Sequence, residues 1–182
     1  ATMRRDEYVP PRSKLSEYEA LSALTEDRHL RPETIKKFGI EADVKRQAYL
    51  YTDPAWPEGT QRLKAFNGNP PKYLWHKYKQ SEAGLDLYGL GQALTISSAN
   101  NVHRVTLVEG EPDVWTMAQA GLAAVSFTKG AETVPDGAVE ILASSDFTHV
   151  DVVYDLDAAG LEGRWKAAAA LESNGMTVPR PE

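Results

Sequence analysis

Two short stretches constrain this chain more than any others. One is Val105-Thr106-Leu107-Val108 running into Glu109-Gly110-Glu111-Pro112-Asp113. The other is Val150-Asp151-Val152-Val153-Tyr154 running into Asp155-Leu156-Asp157-Ala158-Ala159-Gly160. Each is a β-branched apolar run that ends in carboxylates. Such runs read as buried parallel strands, and parallel strands deliver the residues after them to the carboxyl edge of a sheet, where ligands bind. Glu109 and Asp113 are expected from one strand end and the helix after it, and Asp155 and Asp157 from another. Four carboxylates on one edge repel each other unless a cation sits among them, and Mg²⁺ takes a few carboxylates while keeping several waters. The competing reading of Asp155 and Asp157 is an N-cap pair, each favourable by about 0.3–1 kcal/mol at a helix start.

The surrounding pattern supports a sheet. Strands are expected over 105–108, 123–127 and 150–154, helices over 112–120, 136–143 and 161–172, and a last strand from 176. This alternation predicts an α/β fold, a mainly parallel sheet with helices on both faces. The earlier half reads differently. Residues 1–14, with Pro10-Pro11, are expected as a flexible lead. Leu15, Tyr18, Leu21 and Leu24 sit at near-helical spacing, with Ser13 or Ser16 as the cap. Pro32 opens a second helix over 32–38, and Gly39 stops it. Strands over 47–52 and 60–66 flank the turn-rich Pro54-Ala55-Trp56-Pro57-Glu58-Gly59. The chain thus divides into a small α+β unit over 15–100 and an α/β domain over 101–182. Gly89 and Gly91 lack the strand–turn–helix setting of a dinucleotide fingerprint.

Charge follows the same division. Residues 1–100 carry 15 Lys and Arg against 13 Asp and Glu, whereas residues 101–182 carry 5 against 13. An acidic half beside a mildly basic one suits a cation site next to a polyanion track, although surface variation by chance gives the same asymmetry. On the strand over 60–66, two-residue alternation puts Arg62, Lys64 and Phe66 on one face. That face is either a solvated sheet surface or a phosphate track. After it, Lys72, Tyr73, Trp75, His76, Lys77, Tyr78 and Lys79 interleave cations with rings. This composition suits a single strand of nucleic acid, cations meeting phosphates and rings offering stacking faces. The sequence has 0 Cys, which excludes disulfides and cysteine-ligated zinc, and its 4 His are far apart. No apolar run approaches the roughly 20 residues that span a bilayer. The N-terminal stretch has no apolar core of a secretory leader.

Glu109-Gly110-Glu111-Pro112-Asp113 followed by Asp155-Leu156-Asp157 resembles the TOPRIM domain of topoisomerases and primases, whose pattern is a glutamate after the first strand and a DxD after the third. Within that family the chain is most similar to the RNA polymerase core of bacterial-type primases, in a shortened form like those of phages and plasmids. Pro71-Lys72-Tyr73-Leu74 and Leu87-Tyr88-Gly89-Leu90 are similar to primase segments that precede the TOPRIM glutamate. The resemblance covers about residues 15–178 and is strongest over 105–160.

It implies a nucleotidyltransferase that makes short RNA primers on single-stranded DNA. It implies that Asp113, Asp155 and Asp157 hold Mg²⁺ or Mn²⁺, with Glu109 as ligand or general base. Arg62, Lys64, Lys72, Tyr73, Lys77 and Lys79 would hold template or NTPs, and Lys129, after the second strand, adds a cation at the same edge. The implied partners are template DNA, NTPs and a replicative helicase, fused or separate, with no membrane; the implied location is the cytoplasm of a bacterial or phage-infected cell. A TOPRIM nuclease, or a non-catalytic DNA- or helicase-binding module, is the alternative. Two departures stand out. Family primases carry a further acidic pair after the fourth strand, about where this chain stops, and they use a zinc module that the absence of Cys excludes here. The chain is therefore expected to be a catalytic core cut from a longer protein.

Overall fold

The computed structural model describes residues 14–66, 73–76 and 86–179. The first helix, α1 (Glu17–Ser22), is capped by Ser16, whose side chain accepts from Glu19 N while the Glu19 side chain reaches back to Ser16, the reciprocal arrangement that satisfies two orphan donors at once. Ser13 lies outside the described residues. The helix runs on into a π-turn, Ala23–Asp27. Next, α2 (Pro32–Lys37) opens on its proline and ends before Gly39, whose φ is +58°. Both helices lie against an antiparallel meander of β1 (Glu41–Asp43), β2 (Ala48–Tyr51), β3 (Gln61–Ala65) and β4 (Tyr73–His76). The Tyr49 hydroxyl donates to the Ala20 carbonyl at 2.7 Å and ties α1 to β2. Sequence pattern missed β1, since three residues with an acid at each end show no period.

The second sheet has the order β5-β7-β6-β8. Its strands are β5 (Leu87–Tyr88), β6 (Arg104–Val108), β7 (Ala124–Phe127) and β8 (His149–Val153). The last three are parallel, and β5 pairs antiparallel with β7. Its helices are α3 (Leu90–Asn100), α4 (Glu111–Gln119), α5 (Asp136–Ala143) and α6 (Ala158–Ser173). The expected strand from 176 appears as one parallel bridge, Thr177 to His149. Strand β5 pairs with β7 in this sheet, and α3 packs on β6 and β7.

Two apolar cores follow from strand alternation. Val105, Leu107, Val125, Phe127, Val150 and Val152 pack with α5 and α6 through Val139, Leu142, Ala167 and Leu171. Val108, from the opposite face of β6, joins Val114 and Trp115 of α4 in a second core. That core also takes Leu24, Phe38, Tyr51 and Trp56 from the first unit, so the two sheets share it. Tyr51 meets Trp115 edge-on at 5.2 Å, and the Trp115 indole donates to the Tyr88 hydroxyl at 2.7 Å. The sheets also meet at Gly89. Its N–H donates to buried Asp53 at 2.7 Å, its φ is +89°, and a β-carbon there would stand 2.7 Å from Val114 Cγ1. Glycine is therefore required at the turn from β5 into α3. No described helix is long and apolar enough to cross a membrane.

Candidate active site

Strands β6 and β8 are parallel with Val108 opposite Val153. Both chains therefore leave the sheet at the same edge, and the Glu109 carboxylate accepts the Asp155 backbone N–H at 3.1 Å. Asp113 comes from the first turn of α4, where a negative charge is favoured. Glu109, Asp113 and Asp155 line one cavity of about 510 Å³. Loss of water around Asp113 pushes its carboxyl above the ordinary range; Arg28 opposes this, and the Asp155 charge adds to it. Of the four acids expected at this edge, these three line the cavity.

Asp157 is placed differently. It is the N-cap of α6, its side chain accepts Gly160 N at 2.8 Å, and it is not part of the cavity lining. The glycine of this turn has a steric reason: a β-carbon on Gly160 would stand 2.2 Å from the Asp155 carbonyl oxygen. The helix can start this close behind Asp155 only because residue 160 has no side chain.

The same cavity is also lined by the basic and aromatic residues Arg28, Arg62, Lys64, Tyr73 and Lys129. The two alternatives for the β3 face are settled against a solvated surface: Arg62 is 6% exposed and Lys64 8%, while Phe66 packs edge-on against Tyr49 at 4.7 Å. Arg62 pairs through Nε with Glu111 Oε1 at 2.7 Å and donates to the Thr128 carbonyl. It also stacks over the Tyr73 and Trp75 rings, 5.1 and 4.8 Å from their centroids. Lys64 Nζ donates to the Tyr73 hydroxyl at 3.1 Å. Lys129 follows β7 as expected and pairs with Asp86 at 2.9 Å. Lys72, Lys77 and Lys79 lie outside the described residues.

Sequence reasoning missed two residues of this cavity. Arg28 follows the π-turn, a geometry that recurs at functional sites and leaves no periodic trace. A single side chain from α4 fixes the loop that carries it: Gln119 accepts from Arg31 N at 2.6 Å and from Thr34 Oγ1 at 3.0 Å, and donates to the His29 carbonyl at 2.8 Å. The other residue is Glu111, 2% exposed. Burial pushes its carboxyl up, and Arg62 pulls it back. An acid immediately before Pro112 in an otherwise apolar helix face was the available signal.

The donor set suits a hard divalent ion, being oxygen only. Among the described residues no three acids or histidines are close enough to hold a metal unaided. An open edge of this kind fits Mg²⁺, which binds through one or two carboxylates and completes its shell with water and phosphate oxygens.

No protein-family model matches this sequence, and no curated protein matches it. Solved structures do. An Aquifex aeolicus primase with zinc-binding and RNA polymerase domains superposes with a TM-score of 0.70 at 17% identity, over 86% of this chain and 48% of its own. The E. coli primase catalytic core gives 0.67 at 21%, over 92% and 68%. The primase fragment of the bacteriophage T7 primase-helicase protein gives 0.60 at 20%, over 85% and 62%. The chain thus spans 48% to 68% of these three solved chains, and it has the fold of bacterial and phage primase catalytic cores.

Proposed function

We propose that this protein is the catalytic core of a DNA primase, joining ribonucleotides into short primers along a single-stranded DNA template. One observation carries the reading most: Glu109, Asp113 and Asp155 line one cavity of about 510 Å³ together with Arg28, Lys64 and Tyr73. Phosphoryl transfer needs positioning and charge neutralisation more than a side-chain nucleophile, and this cavity offers both signs of charge. The shared fold supports the same reading and favours neither the nuclease nor the non-catalytic alternative.

Glu109, Asp113 and Asp155 would hold Mg²⁺ or Mn²⁺, which when bound supplies neutralisation of phosphate charge and activation of the primer 3′-hydroxyl. Asp157, with one oxygen taken by Gly160 N, would add its negative charge to the same site. Arg28 and Lys64 bind the triphosphate. Tyr73 offers a ring face and a hydroxyl beside them. Lys72, Lys77 and Lys79 extend the lane for template, and Lys129 borders it beyond β7. A replicative helicase, fused or separate, is the partner suggested by the phage relative, and the protein works in the cytoplasm of a bacterial or phage-infected cell.

The test is incubation with single-stranded DNA, labelled NTPs and Mg²⁺ or Mn²⁺. Template-dependent oligoribonucleotides are expected. Cleavage of the DNA without synthesis would establish the nuclease instead, and binding with neither would establish a non-catalytic module.

A further inference from the structure

Arg62 was expected among the residues that touch nucleic acid, yet its guanidinium is committed elsewhere. It meets Glu111 on the first turn of α4, the Thr128 carbonyl just after β7, and the faces of Tyr73 and Trp75 on β4. These groups come from three separate segments, and Glu111, Thr128 and Tyr73 border the cavity. Glu111 lies two residues from Glu109 and two from Asp113, with its carboxyl turned inward beside Tyr51 rather than into the acidic edge. The consequence falls on Tyr73. Its hydroxyl and Asp113 Oδ2 both lie 3.5 Å from where a β-carbon on Gly110 would stand. One face of its ring is occupied by Arg62, and Lys64 bonds its hydroxyl.

We propose that the Arg62–Glu111 ion pair is a positioning device. It locks the meander to the start of α4 and so seats Tyr73 and Lys64 at a fixed distance from Glu109 and Asp113. The reaction it serves is the one proposed above, and the inference rests on that reading only for its kinetic part. A planar, always-charged side chain suits the task, because it bonds the Thr128 carbonyl and pairs its charge with Glu111 while its flat face stacks on rings. Glu111 keeps that charge compensated away from water and leaves the cavity acids free for the ion.

The test separates positioning from mere stability. Glu111→Gln alone leaves a buried guanidinium without its counter-charge and endangers folding. The double variant Arg62→Met with Glu111→Leu removes both charges and keeps the volume. Position 73 carries 3-fluorotyrosine in the wild-type and variant backgrounds. Expected are an unfolding midpoint and a Mn²⁺ affinity close to wild type, and a fluorine resonance at position 73 shifted toward that of free 3-fluorotyrosine. The expected kcat per folded molecule is about 10- to 100-fold lower, with KM for Mg²⁺ unchanged, as a small misplacement across a reacting site allows. Should the double variant not fold, Arg62→Lys, which keeps the charge and loses the fork, is read in the same way. A fluorine line that stays in place, or an unchanged kcat, overturns the proposal. If the wild type makes no product, the primase reading fails by itself, and the fluorine line alone still decides whether the pair holds Tyr73.

Discussion

At the scale of single residues, burial disfavours the charged form of one carboxylate of the cavity, Asp113. Asp113 has its carboxyl raised above the ordinary value of 3.8, by loss of water first and by Asp155 in addition. A raised acid in the folded state keeps a proton that the unfolded chain has already released. The contribution of Asp113 to stability is therefore greatest at low pH and is lost as pH rises through the folded value. Asp113→Asn is expected to raise the unfolding midpoint of the metal-free protein near about pH 7 and to change nothing near about pH 3, where the native residue is protonated in both states. Equal midpoints near neutrality would contradict this. Sequence made Glu109, Asp113 and Asp155 legible because each sits at a strand end or helix start that hydrophobic pattern already marks. Glu111 and Arg28 were not legible. A buried partner 49 positions away in sequence, as Arg62 is from Glu111, leaves no local trace. Asp157 carried both a ligand and a cap reading, and its bond to Gly160 N shows the cap.

At the scale of elements, the helices and parallel strands of the second half fell close to their expected bounds. Their apolar periods are long, and glycines with positive φ close them at Gly121 and Gly175. Among the short antiparallel pieces, β2 and β3 also fell close to theirs, whereas β1 and β5 were not foreseen. Leu87–Tyr88 is two residues long, too short for any alternation, and it is a strand because β7 offers it a partner. The π-turn Ala23–Asp27 is similarly a product of tertiary contact. Gln119 takes three bonds from the loop that follows it, and these fix where Arg28 enters the cavity. Gln119→Ala should cost about 1–3 kcal/mol, the sum of three modest, partly exposed hydrogen bonds. It should raise KM for NTP more than it lowers kcat, because Arg28 is then no longer held. Steady-state kinetics beside a thermal melt checks both parts, and a stability loss with unchanged KM would remove Arg28 from the nucleotide site.

At the scale of the whole molecule, one cavity draws its lining from both halves of the sequence, Arg28, Arg62, Lys64 and Tyr73 from the first and Glu109, Asp113, Lys129 and Asp155 from the second. The shared core of Tyr51, Trp56, Tyr88, Val114 and Trp115 holds the two halves together. Charge asymmetry along the chain was visible beforehand, but the closeness of the halves was not, because it depends on aromatic packing between sheets and on the contacts of Arg62, Asp53 and Gln119. The most direct measurement is primer synthesis by Asp155→Asn beside the wild type, on single-stranded template with NTPs and Mg²⁺ or Mn²⁺, with DNA binding recorded in parallel. The expected result is oligoribonucleotides from the wild type and none from the variant, with template bound equally by both. Undiminished product from the variant would contradict the assignment of the acidic edge as the site of the reaction.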